Sequence, residues 1–82
     1  MVKIYTTNWC PSCNAAKNLL DSIDIPYKEI NIALEQGKRE EMLEKSNGRR
    51  TIPQIFFNEL HIGGYQELRE LEKKGELQDL VK

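Results

Sequence analysis

Cysteine and histidine are scarce in this chain, which has only two cysteines and one histidine. Secreted domains of this size are usually held together by several disulfides spread along the sequence. A structural zinc site takes four ligands, so two cysteines and one histidine leave such a site one ligand short. The composition therefore argues against a disulfide-stapled scaffold and against a zinc site formed within one chain.

An excess of charge of either sign is also missing. Twelve Lys and Arg residues face 13 Asp and Glu residues, which gives a net charge of −1 and no electrostatic case for a nucleic-acid or anionic-membrane partner. No apolar run approaches the roughly 20 residues that a membrane-spanning helix needs. Because residues 1–5 lack the long apolar segment of a signal peptide, we expect a cytoplasmic protein.

The length of 82 residues allows one small domain, which we place at residues 1–82. Hydrophobic residues make up 39% and charged residues 30%, which is typical of a globular domain rather than a disordered tail. No repeat, low-complexity segment or linker divides the chain.

The two cysteines lie three positions apart in the segment Cys10-Pro11-Ser12-Cys13. A disulfide between them would close almost no loop and would therefore stabilise the fold little. A structural disulfide, a metal site and a pair of inert buried thiols remain as alternatives. The spacing favours a reversible dithiol–disulfide couple, particularly between a strand and a helix.

The surrounding pattern predicts which cysteine reacts. Residues 2–5 are rich in β-branched and aromatic side chains and predict a strand, while apolar residues at helical spacing follow Cys13. Pro11 suits the first position of that helix, which makes Cys10 its N-cap. Free backbone N–H groups and the helix dipole would stabilise a thiolate on Cys10. We expect Cys10 to be the nucleophile and the less exposed Cys13 to resolve its mixed disulfides.

The remaining pattern predicts an α/β fold with the order βαβ-α-ββ-α. The predicted elements are strands at 27–32, 55–57 and 60–62, a helix at 34–45, and a last helix from Tyr65 with a break at Lys74–Gly75. They would form a four-stranded mixed sheet flanked by helices. In this sheet the first two strands are parallel and the closing hairpin is antiparallel to them.

Three segments together resemble one known family. They are Cys10-Pro11-Ser12-Cys13, Thr51-Ile52-Pro53 and Gly63-Gly64-Tyr65-Gln66-Glu67. Their order and spacing resemble those of glutaredoxins, in particular the small bacterial dithiol kind, over essentially the whole chain. The resemblance implies a thioredoxin fold, glutathione as co-substrate without a tightly bound cofactor, and a monomeric enzyme. It also implies protein disulfides and glutathionylated proteins as substrates.

For the segment Thr51-Ile52-Pro53, the resemblance implies a cis Ile52–Pro53 bond that faces Cys10. Thr51, Ile52 and Pro53 would then contact glutathione, with the backbone of Ile52 pairing with an extended thiol substrate. On the residues alone, an ordinary proline that opens a strand fits equally well.

For the glycine pair, the resemblance implies that Gly64, Tyr65 and Gln66 contact glutathione. Glycines allow close approach to the backbone, and the N-terminus of the following helix can hold the glutamyl carboxylate. A glycine turn that merely precedes a helix is the alternative.

One of three arginines, Arg39, Arg49 or Arg50, is a candidate partner for the glycyl carboxylate, although each could equally be a solvated surface charge. We expect the single histidine, His61, to lie in the hairpin without a catalytic role.

Four positions depart from the usual family pattern. They are Thr7 in place of a lysine, Trp9 in place of a small polar residue, Ser12 in place of a tyrosine, and Gln66 in place of an aspartate for which Glu67 could substitute. Trp9 could shield the sulfur, stack on a substrate or pack partly against the sheet.

These departures keep two alternative functions open. One is an electron donor regenerated by a thioredoxin reductase, for example for ribonucleotide reductase. The other is a dimer that binds a [2Fe–2S] cluster, for which the small Ser12 leaves room. The intact Cys13 argues against a dedicated cluster carrier.

Overall fold

The computed structural model of this protein describes residues 1–81 as one four-stranded sheet with helices on both faces. The elements are β1 (Val2–Thr6), α1 (Pro11–Ser22), β2 (Tyr27–Asn31), α2 (Lys38–Lys45), β3 (Gln54–Phe57), β4 (Leu60–Gly63), α3 (Tyr65–Lys73) and α4 (Leu77–Leu80). The predicted α/β class and the order of the elements are confirmed.

The order of the strands in the sheet is β2-β1-β3-β4. β1 is parallel to β2 and antiparallel to β3, and β4 is antiparallel to β3. β4 therefore runs in the same direction as β1, and the prediction of a hairpin antiparallel to the first two strands holds for β3 only. The C-terminal ends of β1, β2 and β4 and the N-terminal end of β3 lie at the same end of the strands. We call this end of the sheet the active edge.

Side chains alternate between two hydrophobic cores, one on each face of the sheet. On one face, buried residues of β1 and β3 pack against α1, α3 and α4. The largest buried side chains of this core, from strands and helices together, are Ile4, Leu20, Ile55, Leu68 and Leu77. On the other face, Tyr5, Ile30, Ile32 and Phe56 pack against Met42 of α2. Strand alternation sends consecutive residues to opposite faces, so the short β1 supplies both cores.

α2 begins later than the sequence predicted, at Lys38 rather than at residue 34. The Asn31 carbonyl accepts hydrogen bonds from the N–H groups of Leu34 (3.2 Å) and Glu35 (3.0 Å), and the Asn31 side chain accepts another from Ala33 (2.9 Å). This side-chain turn satisfies the backbone without a helix. Gly37 then adopts a left-handed φ of 80° before the helix starts.

The predicted break in the last helix is confirmed. α3 ends at Lys73, and Gly75 adopts a φ of 73°. The N–H of Glu76 donates to the carbonyl of Leu71 (2.9 Å), as is common where a glycine ends a helix. The short α4 then returns Leu77 to the core.

Within residues 1–81, none of the helices is both long and apolar enough to cross a membrane.

Candidate active site

Cys10 occupies the N-cap of α1, as the position of Pro11 predicted. Its backbone is extended (φ −121°, ψ 97°), and the N–H of Cys13 donates to the Cys10 sulfur at 3.1 Å. An N–H group aimed at a sulfur stabilises negative charge on it. The start of α1 is therefore suited to hold Cys10 as a thiolate when the pair is reduced.

Cys10 and Cys13 are joined by a disulfide, with their Cα atoms 5.2 Å apart. Cys13 is 1% exposed, whereas Cys10 is partly accessible. A substrate can therefore reach one sulfur of the pair from solvent. The other sulfur, that of Cys13, is buried and bonded to the first.

Trp9, immediately before Cys10, is exposed to solvent. Its side chain is 99% exposed and its φ is +55°. The structure thus rules out partial packing of Trp9 against the sheet, which was one of the three roles considered for it. The left-handed backbone of Trp9 directly precedes the extended Cys10 that caps α1.

A cavity of about 440 Å³ opens at the active edge beside the cysteines. Its lining includes Ser12 and all six of the predicted glutathione contacts: Thr51, Ile52, Pro53, Gly64, Tyr65 and Gln66. The Ile52–Pro53 peptide bond is cis. The loop that contains Pro53 and the loop that contains Gly64 form the walls of the cavity. They approach closely: a Cβ added to Gly64 would lie 3.4 Å from the Pro53 carbonyl oxygen. The role of these residues in binding stays a prediction.

Two arginines, Arg49 and Arg69, also line this cavity. Arg49 was one of three arginines considered for a carboxylate partner; in the part of the chain that the structure describes, the other two, Arg39 and Arg50, are not part of the lining. Arg69 was missed by the sequence analysis. It lies on α3, five residues after the N-cap Gly64, and only the packing of that helix places it at the cavity.

Glu67 caps α3 and pairs with Arg49. Its Oε1 accepts hydrogen bonds from the Gly64 N–H (2.7 Å) and from Arg49 Nη1 (3.2 Å). The Gly64 N–H, followed by Arg49, lowers the pKa of Glu67 against the opposing effect of burial. The sequence left open that Glu67 substitutes for the aspartate that Gln66 replaces. The structure shows its carboxylate engaged in holding the cavity wall, a role that a carboxylate three residues after an N-cap signals in the sequence.

A second polar chain supports the loop before β3. His61 Nε2 lies 2.7 Å from Gln54 Oε1, and Gln54 Nε2 donates to the Thr51 carbonyl (2.9 Å) and hydroxyl (3.0 Å). His61 also stacks on Phe56, with the ring centroids 4.7 Å apart. Burial, and then the charge of Arg49, lower the pKa of His61. His61 lies in the hairpin as predicted. Hydrogen bonds connect it to Thr51 through Gln54, a connection that sequence reasoning missed.

No cluster of three or more His, Cys, Asp or Glu side chains that could hold a metal ion occurs within residues 1–81. The joined sulfurs of Cys10 and Cys13 can take part in thiol–disulfide exchange.

Comparison with known proteins agrees with this chemistry. The family model for glutaredoxin matches residues 2–62. The chain is 46% identical over 81 residues to glutaredoxin 3 of Escherichia coli (strain K12), covering 99% of this chain and 96% of that protein.

Solved structures agree as well. The solution structure of a glutaredoxin from Brucella melitensis superposes with a TM-score of 0.84 at 43% identity, covering 99% of this chain and 87% of that one. A buckwheat glutaredoxin–glutathione complex superposes with a TM-score of 0.87 at 26% identity, covering 98% and 74%. The chain therefore belongs to the glutaredoxin family and is a glutathione-dependent thiol–disulfide oxidoreductase with a thioredoxin fold.

Proposed function

We propose that this chain reduces glutathionylated proteins and protein disulfides, with Cys10 as the nucleophile and Cys13 as the resolving thiol. The observation that carries the proposal is the placement of one accessible sulfur at a helix N-cap, next to a second sulfur that is buried. The thiolate is the attacking species in disulfide exchange. Only Cys10 is both accessible and held where a thiolate is stabilised.

With a glutathionylated protein, Cys10 alone is sufficient. Its thiolate attacks the glutathione sulfur, a Cys10–glutathione disulfide forms, and the protein leaves as a thiolate that takes a proton. A second glutathione thiolate then attacks the bound glutathione sulfur. This step releases oxidised glutathione and restores the Cys10 thiolate.

With a protein disulfide, both cysteines are needed. Cys10 attacks one sulfur of the substrate and releases the other as a thiol. The Cys13 thiolate then attacks the Cys10 sulfur, which forms the Cys10–Cys13 disulfide and releases the reduced protein. Two glutathiones return the pair to the dithiol and leave as oxidised glutathione.

The cavity at the active edge is the proposed glutathione site. The buckwheat relative was solved in complex with glutathione, and the cavity in this chain is lined by the start of α3 and by Arg49 and Arg69. The N–H groups of Tyr65 and Gln66 open α3 and suit the glutamyl carboxylate. Arg49 or Arg69 would pair with the glycyl carboxylate.

The test is turnover of the glutathione–cysteine mixed disulfide, coupled to glutathione reductase and NADPH. We expect the wild type and Cys13→Ser to turn over and Cys10→Ser to be inactive. With insulin as a protein disulfide, Cys13→Ser should lose its activity. A Cys10→Ser protein that still turns over would show that the nucleophile is wrong.

The same assay separates the reductants. Replacing glutathione and its reductase by thioredoxin reductase should leave the wild type without turnover. Reduction by thioredoxin reductase but not by glutathione would favour the electron-donor alternative. A monomeric state and a cytoplasmic location stay predictions, which sedimentation and cell fractionation would check.

A further inference from the structure

We propose that Trp9 and Leu34 form a docking surface for the polypeptide that flanks the disulfide of a protein substrate. This inference rests on the proposed function, and it adds to it the side of the site on which the protein part of the substrate lies. Among the large apolar side chains of residues 1–81, Trp9 (99%) and Leu34 (74%) have the highest exposed fractions.

Both residues lie at the active edge. Trp9 follows β1 directly, and Leu34 follows β2 in the turn that Asn31 closes. The Asn31 Nδ2 donates to the Asn8 Oδ1 at 3.0 Å. This hydrogen bond ties together the two loops that carry the exposed side chains.

The indole does not contribute to the core, and its position carries a backbone cost. A φ of +55° is unfavourable for a bulky side chain, whereas asparagine or glycine would adopt it more readily. Residues in such conformations cluster at functional sites. A large apolar ring that is held in this conformation, exposed to water and adjacent to the nucleophile, is suited to contact a ligand.

The order of the strands indicates which part of the substrate the Trp9 indole contacts. Along the active edge, the loops occur in the order Leu34, Trp9 with Cys10, the Ile52–Pro53 loop, and Gly64. The proposed glutathione cavity lies on the β3 and β4 side of Cys10. With glutathione on that side, the polypeptide that is joined to it through the disulfide would lie on the β1 and β2 side of Cys10, where Trp9 and Leu34 are found.

The chemistry of the surface indicates the kind of polypeptide. Covering Trp9 and Leu34 removes apolar area from water, which favours binding in proportion to that area. The preferred substrate segment therefore carries apolar side chains next to its cysteine. A glutathione mixed disulfide with free cysteine has no such side chains and should not use the surface.

Because Trp9 is the single tryptophan, its fluorescence reports directly on this surface. In Cys10→Ser, which cannot exchange disulfides, Trp9 emission is followed as a glutathionylated cysteine peptide flanked by leucines, a matched glutathionylated peptide flanked by serines, or the glutathione–cysteine disulfide is added. We expect the emission maximum to move to shorter wavelength with the leucine peptide only. No movement with that peptide, or equal movement with the glutathione–cysteine disulfide, overturns the proposal.

Kinetics give an independent readout. On the glutathionylated leucine peptide, Trp9→Asn should lower kcat/KM about tenfold and Leu34→Ser about threefold, as expected for the loss of apolar contact. Neither variant should change turnover of the glutathione–cysteine disulfide by more than about twofold. Equal losses on both substrates would indicate that Trp9 positions Cys10 and would overturn the docking role.

Two controls complete the test. Leu60 is 49% exposed at the start of β4, at the end of the sheet away from the active edge. Leu60→Ser should therefore leave turnover of the leucine peptide and of the glutathione–cysteine disulfide unchanged. A shift in Trp9 emission when the free protein is diluted across the micromolar range would assign the surface to a second copy of the chain, against the proposal. If the wild type fails on the glutathione–cysteine disulfide, the proposed function fails, whereas the fluorescence test of binding to Cys10→Ser still applies.

Discussion

At the residue scale, Glu67 links the N-terminus of α3 to Arg49 across the cavity. We expect Glu67→Gln to lower the free energy of unfolding at neutral pH by about 0.5 kcal/mol, because exposed ion pairs contribute little. The glutamine retains an acceptor for the Gly64 N–H. The difference between the two proteins therefore isolates the charge.

The lowered pKa of Glu67 fixes the sign of the pH dependence. A carboxylate with a lowered folded pKa stabilises the fold fully above its unfolded pKa, and this contribution is lost as the pH falls through the folded value. Urea unfolding from neutral pH down to about pH 3 should therefore show the two proteins converging. A difference that stays constant over this range would contradict the charge effect.

Gly63 lies at a position that has no space for a side chain. Its φ is +122°, and an added Cβ would collide with the side chain of Glu67. Gly75 has a φ of +73° and open space around it, so its substitution reports the cost of a left-handed backbone alone. We expect Gly75→Ala to cost about 1 kcal/mol of unfolding free energy and Gly63→Ala about 2 kcal/mol or more, because the φ of Gly63 lies further from the left-handed region and Glu67 is in the way. Equal losses in chemical denaturation would contradict both the greater backbone strain at Gly63 and the collision with Glu67.

Single residues differ in how well the sequence predicted them. Pro11 has a fixed φ that suits the first turn of a helix, so the N-cap position of Cys10 could be predicted locally. The chain from His61 through Gln54 to Thr51 could not be predicted in this way. It exists only because β3 pairs with β4, which is a property of the tertiary fold.

At the element scale, α2 has few contacts with the sheet. Met42 is its one buried residue, and the Tyr5 hydroxyl donates to Glu41 Oε2 at 2.6 Å. Burial and the Glu41 carboxylate raise the pKa of Tyr5, and the same hydrogen bond lowers the pKa of Glu41. The buried Met42, the partly buried Leu43 and one charged hydrogen bond therefore attach α2 to the sheet.

We expect Tyr5→Phe to lower the free energy of unfolding by about 1 kcal/mol and Met42→Ala to lower it by about 2–5 kcal/mol. Denaturant titration would measure both losses. Hydrogen exchange should show the amides of α2 exchanging faster than those of α1 in each variant. Protection of α2 equal to that of α1 would show that further contacts hold this helix.

The start of α2 shows where pattern reasoning fails. Residues 34–37 fit a helical pattern, yet the Asn31 side chain bonds to the N–H of Ala33 and starts a turn. Periodicity does not register such side-chain competition for the backbone. The break at Gly75 was predictable because a glycine after a basic residue is a strong local signal for the end of a helix.

At the scale of the whole molecule, the sheet order gathers all the chemistry at one edge. Alternation in the strands and helical spacing were sufficient to predict the α/β class, and three short motifs were sufficient to indicate the family. The positions of Arg69 and Leu34 depend on how helices and loops pack at that edge. No local pattern carries that information.

Exposure of Trp9 leads to a prediction about unfolding as a whole. Because the indole is 99% exposed in the folded protein, its emission maximum should hardly move when urea unfolds the chain. Far-ultraviolet circular dichroism should show a cooperative transition in the same samples. A marked shift of the emission to longer wavelength on unfolding would show that Trp9 is packed in the folded state.

The most direct test of the central claim is the structure of Cys13→Ser with glutathione attached to Cys10. We predict that glutathione fills the cavity, with its glutamyl carboxylate at the N–H groups of Tyr65 and Gln66 and its backbone paired with Ile52. Chemical shifts of these amides in solution would report the same contacts. Glutathione on Cys10 that lies outside the cavity, without contacts to Ile52 or Tyr65, would contradict the account.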